Sequence, residues 1–183
     1  MTYTIHTIET APEAAKEALA AAGKGFGFVP NLLAVMAEVP ALLTAYRTLI
    51  GLFDQTSLNA SERQVVLLTA SYENRCEYCV AAHSMIAKMQ KVPDAVVAAI
   101  RDGRPIADSK LQALRAFTSA VVNSRGLPSD AETSAFLAAG YTRTQILEVV
   151  LGVGVKTLSN YTNHVAETPL DQAFAPAARS KAA

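Results

Sequence analysis

The only two thiols of this 183-residue chain stand two residues apart, as Cys76-Glu77-Tyr78-Cys79, and His83 follows them. A helix turns about 100° per residue, so positions i, i+3 and i+7 share one narrow face and these three side chains can act as a unit. With two residues between them, the thiols can close a disulfide in the first turn of a helix, and so tight a ring is exchangeable rather than structural. The reactive form of cysteine is the thiolate, which the free amides of a helix N-terminus and a nearby imidazole both favour. His83 lies one turn from Cys79 but two from Cys76. That spacing points to Cys79 as the attacking thiolate and to Cys76 as the thiol that resolves a sulfenic acid by forming the disulfide. The competing order starts from Cys76, which sits nearer the helix opening and takes more of its dipole. Glu73 precedes the pair closely enough to take a proton from the imidazole or the thiols.

Blander readings stand beside this one. Free cysteines are among the most buried residues, so the pair could be core filler. It could also bind metal: C-x-x-C plus His83 supplies three zinc ligands, and His164 is the available fourth, which would make a metal-stabilised, non-catalytic binding domain. Glu77 and Tyr78 read as rim side chains, and Asn163 and His164 as polar residues of helix packing. A dithiol cycle itself needs neither metal nor cofactor.

The elements that must carry these residues are helical. Capping boxes, a Ser or Thr followed three residues later by Glu or Gln, occur at Thr10/Glu13, Ser61/Gln64, Ser129/Glu132 and Thr142/Gln145. Helices are expected over 11–22 (stopped by Gly23), 31–38, 40–53, from Ser61 to near Asn74, from Asn74 as cap toward Gln90, and over 93–101, 108–123, 129–139 and onward from Thr142. No segment reads as a convincing core strand, so the fold class is all-α. Thr2 to Glu9 alternates like a short extended arm that needs a surface to pair with. One helical domain over 11–170 is expected between the arm at 1–10 and a frayed tail at 171–183. Ser61–His83 and Thr142–His164 align without a gap, with Arg75 on Lys156 and His83 on His164, which suggests two related helical halves.

Composition narrows the partners. Sixteen basic residues cancel sixteen acidic ones, which leaves no footprint for nucleic acid or an anionic membrane. The start of the chain lacks a basic region followed by an apolar run, and no apolar stretch is long enough to span a bilayer, so the expected location is cytoplasmic. With 51% hydrophobic and 17% charged residues, apolar surface is left over for a second subunit, and a homo-oligomer is expected.

The string Ser61-Glu62-Arg63, an apolar run, then Asn74-x-Cys76-x-Tyr78-Cys79-x-x-x-His83 resembles the carboxymuconolactone decarboxylase superfamily in its alkylhydroperoxidase D-like branch. Phe28-Val29-Pro30-Asn31-Leu32, Pro40-Ala41-Leu42-Leu43 and the stretch from Asn160 to Asp171 extend the likeness over most of the chain. The resemblance implies an all-α fold, assembly into trimers or hexamers, and reduction of hydroperoxides through a redox disulfide. It makes Cys79 the peroxidatic thiol, Cys76 its resolving partner and His83 part of a proton relay. It also implies a dithiol reductant, which in some members is a lipoyl-bearing protein. One position departs: a relay Glu usually stands twelve residues before the first Cys, and here that residue is Gln64, which cannot carry a proton. Glu73 is the available substitute. Without one, dithiol–disulfide exchange becomes the alternative activity.

Overall fold

In the computed structural model, which describes residues 3–179, nine α-helices and a closing 3₁₀ turn follow one another with no strand among those residues. They are α1 (Glu13–Phe26), α2 (Asn31–Met36), α3 (Pro40–Asp54), α4 (Ala60–Glu73), α5 (Glu77–Met89), α6 (Asp94–Arg101), α7 (Ser109–Asn123), α8 (Asp130–Ala138), α9 (Arg143–Ala166) and the turn Gln172–Ala177. No helix among the described residues is long and apolar enough to cross a membrane.

Two of the four expected capping boxes form, Ser129 with Glu132 and Thr142 with Gln145. The other two do not. The Thr10 hydroxyl instead accepts the Thr7 amide at 2.9 Å, so α1 starts after Pro12 without a side-chain cap, runs past Gly23 and ends at Gly27 in the left-handed region, φ 80°. At α4 the box belongs to Asn59 and Glu62, whose reciprocal bonds measure 3.0 and 2.9 Å. Asn is as good a cap as Ser, and the earlier start leaves Gln64 beyond the reach of the cap amides, free to turn inward.

Helix α4 is the axis of the fold. Val65 through Ser71 are buried without interruption, the mark of a helix enclosed on every side, and it packs against α5, α6, α7 and α9. One core cluster joins it to α6, α7 and α9 through side chains such as Leu68, Ile100, Phe117 and Val149. A second joins α1, α2, α5 and the closing turn and contains Leu19, Met36, Phe174 and both cysteines. Tyr46 of α3 packs against both clusters.

Helix α4 ends in a Schellman turn. The Cys76 amide donates to the Ser71 carbonyl and the Arg75 amide to that of Tyr72, both at 2.9 Å, with Arg75 in the left-handed region at φ 57°. Cys76, and not Asn74, is therefore the N-cap of α5, while Asn74 ends α4 and binds Asn160 of α9. The segment aligned with this helix–turn–helix folds differently. Thr142 caps one unbroken 24-residue helix, and the positions equivalent to Asn74 and Arg75 are Val155 and Lys156 in its interior. The two stretches thus differ in shape.

Neither terminus behaves as an appendage. Residues 3–7 form no strand, and His6 ties the arm to its own chain, with Nε2 2.8 Å from Glu38 and Nδ1 3.1 Å from the Thr10 carbonyl. The expected tail turns back instead of fraying: Asp171, Phe174 and Ala177 are buried and the 3₁₀ turn packs on α5. Only residues 180–183 of that tail lie outside the described residues, as do 1–2 of the arm.

Helix α9 can approach this closely because position 152 lacks a side chain. A Cβ on Gly152 would stand 2.7 Å from Val66 and 2.8 Å from the Phe53 ring, whereas one on Gly154 would meet nothing within 4 Å. Gly152→Ala is expected to destabilise the protein by about 1–3 kcal/mol of overpacking. Gly154→Ala should raise stability by up to about 1 kcal/mol through helix propensity. Urea unfolding of both variants checks the contrast, and equal effects would contradict the packing account.

Candidate active site

Cys76 opens α5 with extended backbone, Cys79 sits in its first turn and His83 one turn further on. All three are buried and both thiols are free. A stripe of polar residues on α9 faces them. Lys156, Ser159, Asn160 and Asn163 follow the i, i+3, i+4, i+7 spacing of one helix face, and none is exposed. Asn163 donates its Nδ2 to Cys79 Sγ at 3.2 Å and reaches Cys76 Sγ at 3.7 Å. Asn160 accepts Asn74 Nδ2 at 2.9 Å and so fastens the α4–α5 turn, with the thiols just beyond it, to α9. Lys156 has 0% of its surface exposed, and its Nζ meets no hydrogen-bonding nitrogen or oxygen.

These neighbours split the two thiols. Burial raises the Cys79 thiol, but the hydrogen bond from Cys76, the Lys156 ammonium and Ser159 together outweigh it and hold Cys79 well below its ordinary value. Cys76 moves up, because it is the donor to Cys79 and because it is buried. Burial, assisted by the Lys156 charge, pushes His83 well down, so the imidazole is neutral. Its Nδ1 lies 3.1 Å from Gln64 Oε1, while Gln64 Nε2 donates to Gln90 Oε1 at 3.1 Å. This orientation of the amide assigns the proton to Nδ1 and leaves Nε2 as an acceptor. Burial, followed by the charge on Cys79, pushes the Tyr46 phenol up, so it stays protonated as a donor.

Cys79, His83, Gln64, Lys156 and Tyr46 share a cavity of about 370 Å³ that Arg47, Asp54 and Gln90 also line, the rest of its wall being mostly apolar residues of α1 to α5 and Phe174. Cys76 does not line it. The wall is clasped shut by Tyr78: buried rather than at the rim, its hydroxyl donates to Asp171 and accepts the Leu32 amide at 3.2 Å. Asp171 in turn accepts the Asn31 amide at 3.1 Å.

Of the residues singled out by spacing, Cys79 and His83 come together at the cavity, with Cys76 directly behind. Glu73 does not reach them. It faces α7, where Ser119 Oγ and Asn123 Nδ2 donate to its two oxygens at 2.6 and 3.0 Å. His164 is exposed on α9, away from the thiols, and no three His, Cys, Asp or Glu gather as a metal site among the described residues. Spacing in the sequence does not single out Lys156, Tyr46 or Ser159, and Asn163, which reads there as a packing residue, touches both sulfurs. The sequence does carry a signal for Lys156: it is the one basic residue between Arg143 and His164.

Comparison with known proteins bears on the same residues. The model of the carboxymuconolactone decarboxylase family matches residues 37–120, a segment that contains Gln64, both cysteines and His83. Over that segment the chain is similar to the family. No curated protein matches it in sequence. A peroxidase-related protein from Ralstonia eutropha JMP134, described as an alkylhydroperoxidase AhpD core, superposes with a TM-score of 0.81 at 21% identity, covering 94% of this chain and 93% of its own. A peroxidase-related protein from Silicibacter sp. TM1040 gives 0.80 at 15% identity, over 95% and 92%. A cysteine-to-alanine form of the debrominase Bmp8, in complex with 2,3,4-tribromopyrrole, gives 0.77 at 17% identity, over 95% and 97%. These likenesses show an all-α, AhpD-like fold for this chain. The family match ends before α9, so the stripe from Lys156 to Asn163 lies outside it.

The split between the thiols has a direct readout. Iodoacetamide near pH 7 is expected to modify Cys79 ahead of Cys76, with a midpoint in its pH–rate profile below the ~8.5 of an unperturbed thiol. Mass spectrometry locates the adduct, and equal labelling of both positions would contradict the asymmetry.

Proposed function

We propose that this protein reduces organic hydroperoxides through a Cys76–Cys79 dithiol/disulfide cycle. The observation that carries the reading is the asymmetry of the pair: a low-lying Cys79 lines an apolar cavity and a protonated Cys76 waits behind it. Cys79 attacks the outer oxygen of the hydroperoxide, the O–O bond breaks, and an alcohol and a Cys79 sulfenic acid result. Cys76 then attacks the Cys79 sulfur, the S–S bond forms and water leaves. A dithiol reductant, such as a lipoyl-bearing protein, returns two electrons and the Cys76 proton, and its second proton goes to solvent.

The Cys79 thiolate brings no proton, so the departing alkoxide takes one from solvent, passed on by Nε2 of His83; in the second half the Cys76 thiol proton leaves with the departing hydroxide as water. Neither Gln64 nor Glu73 takes part in that path. The cavity suits an alkyl or aromatic body better than bare peroxide, being mostly apolar and within the roughly 300–1,000 Å³ of small-molecule sites. Gln64 at the relay position also favours a second reading, dithiol–disulfide exchange without peroxide. Cys79→Ser is expected to reduce cumene hydroperoxide consumption to background, and His83→Gln to slow it by about 10²–10⁴. Cys76→Ser should leave a sulfenic acid on Cys79 that a dimedone-type probe traps. A wild type that oxidises dithiols but leaves hydroperoxide untouched would favour the exchange reading.

The protein is further proposed to act as a cytoplasmic homo-oligomer, a trimer or hexamer. Leu147, Val150, Tyr161 and Val165 leave an apolar strip on α9 that is 49–70% exposed along its length. Light scattering at micromolar concentration is expected to give a mass of three or six chains, and a monomer would refute the assembly.

A further inference from the structure

Among the described residues, Lys156 is the one buried cation that its surroundings leave unanswered. It is fully buried on α9, no carboxylate pairs with it among those residues, and its Nζ has no hydrogen-bonding nitrogen or oxygen. Burying a lone ammonium costs several kcal/mol unless a negative group answers it, and the cavity wall that Lys156 shares with Cys79 offers one. The groups facing Cys79 from every side bear this out. From its own helix come Cys76 and neutral His83, from α3 the protonated Tyr46, from α4 the uncharged Gln64, and from α9 Ser159 and Asn163 beside the lysine. Tyr78 is engaged with Asp171, whose oxygens accept from it and from the Asn31 amide and not from Lys156. Arg47 and Asp54 also line the cavity; Arg47 donates to the Ala18 carbonyl and Asp54 pairs with Arg63 at 3.6 Å. Only a Cys79 thiolate is left to answer the ammonium.

We propose that Lys156 is the charge partner of Cys79, and that forming the Cys76–Cys79 disulfide strands this ammonium in the apolar interior, which makes the disulfide a strong oxidant toward dithiols. The inference rests on the redox-disulfide reading above and adds its direction: the oxidised protein is the high-energy state. Reduction by a partner dithiol moves two electrons to the pair and closes a disulfide in the partner. Of the two protons released, one goes to Cys76 and the other to solvent, because Cys79 stays a thiolate beside Lys156. Where the reduced form is the one stabilised, a dithiol pair becomes oxidising, and thiolate stabilisation enters the equilibrium directly. The same charge supplies what Gln64 cannot. It favours the thiolate electrostatically, with no carboxylate relay behind His83.

The test compares wild type with Lys156→Met and Lys156→Arg in two measurements: the pH profile of Cys79 alkylation, and the disulfide equilibrium against glutathione redox buffers. Lys156→Met should move the alkylation midpoint up by a pH unit or more. It should also make the disulfide at least tenfold harder to reduce, about 30 mV for this two-electron couple. Lys156→Arg should keep most of both effects. Methionine matches the apolar stem and removes a buried charge, so the oxidised Met variant should melt no lower than oxidised wild type, which separates the electrostatic role from a folding defect. An unmoved alkylation profile, or a moved profile with an unmoved glutathione equilibrium, overturns the proposal. If wild type forms no Cys76–Cys79 disulfide under oxidant, the redox reading fails and the oxidant role falls with it, while the alkylation profile alone still decides whether Lys156 governs Cys79.

Discussion

A lysine buried without a paired carboxylate is best tolerated where something else in the interior carries negative charge, and in this fold that requirement and the reactivity of Cys79 are one interaction. The ammonium lowers the energy of the thiolate, and the thiolate lowers the cost of burying the ammonium. Everything nearby serves to keep the two in register. Asn163 donates to the sulfurs, Asn160 holds the turn that delivers them, and Gly152 lets α9 lie close enough against α3 and α4 for its polar stripe to reach the seam between the two core clusters.

The turn between α4 and α5 is where local chemistry meets that constraint. A Schellman turn requires a left-handed residue, and here Arg75 supplies it without being glycine, a backbone cost of about 1–3 kcal/mol that the surrounding packing must offset. The return is positional. The residue that closes the turn, Cys76, is also the first residue of the next helix. The pair therefore occupies a helix opening, where free amides add to the lysine's field.

Opposite the charged wall the cavity is apolar, and its closure depends on the chain end. The Tyr78 hydroxyl, Asp171 and the amides of Asn31 and Leu32 form one hydrogen-bonded clasp that draws the 3₁₀ turn and Phe174 over the site. An apolar wall there strengthens the electrostatic interactions inside, including the pairing of Lys156 with Cys79. A short Ala- and Pro-containing segment with no α-helical period thus completes the site wall.

The sequence by itself determined the helices, the pairing of Cys76, Cys79 and His83, and the odd residue at position 64, because these are local matters: caps, stops and a 3.6-residue period depend on neighbours in the chain. Even there, two caps moved, since Asn59 competed with Ser61 and Thr7 with the end of α1 for the same kind of hydrogen bond. Nothing local could place Glu73, whose carboxylate was drawn to Ser119 and Asn123 on α7, 46 and 50 residues on in the chain. Nor could it assign Lys156, 77 residues from Cys79, or Asn163, 84 and 87 residues from the two thiols it touches. Those roles were decided by how α9 and α7 pack on α4, and with them which thiol carries the negative charge. Burial and a distant counter-charge set a thiol's reactivity, and both exist only after the chain has folded.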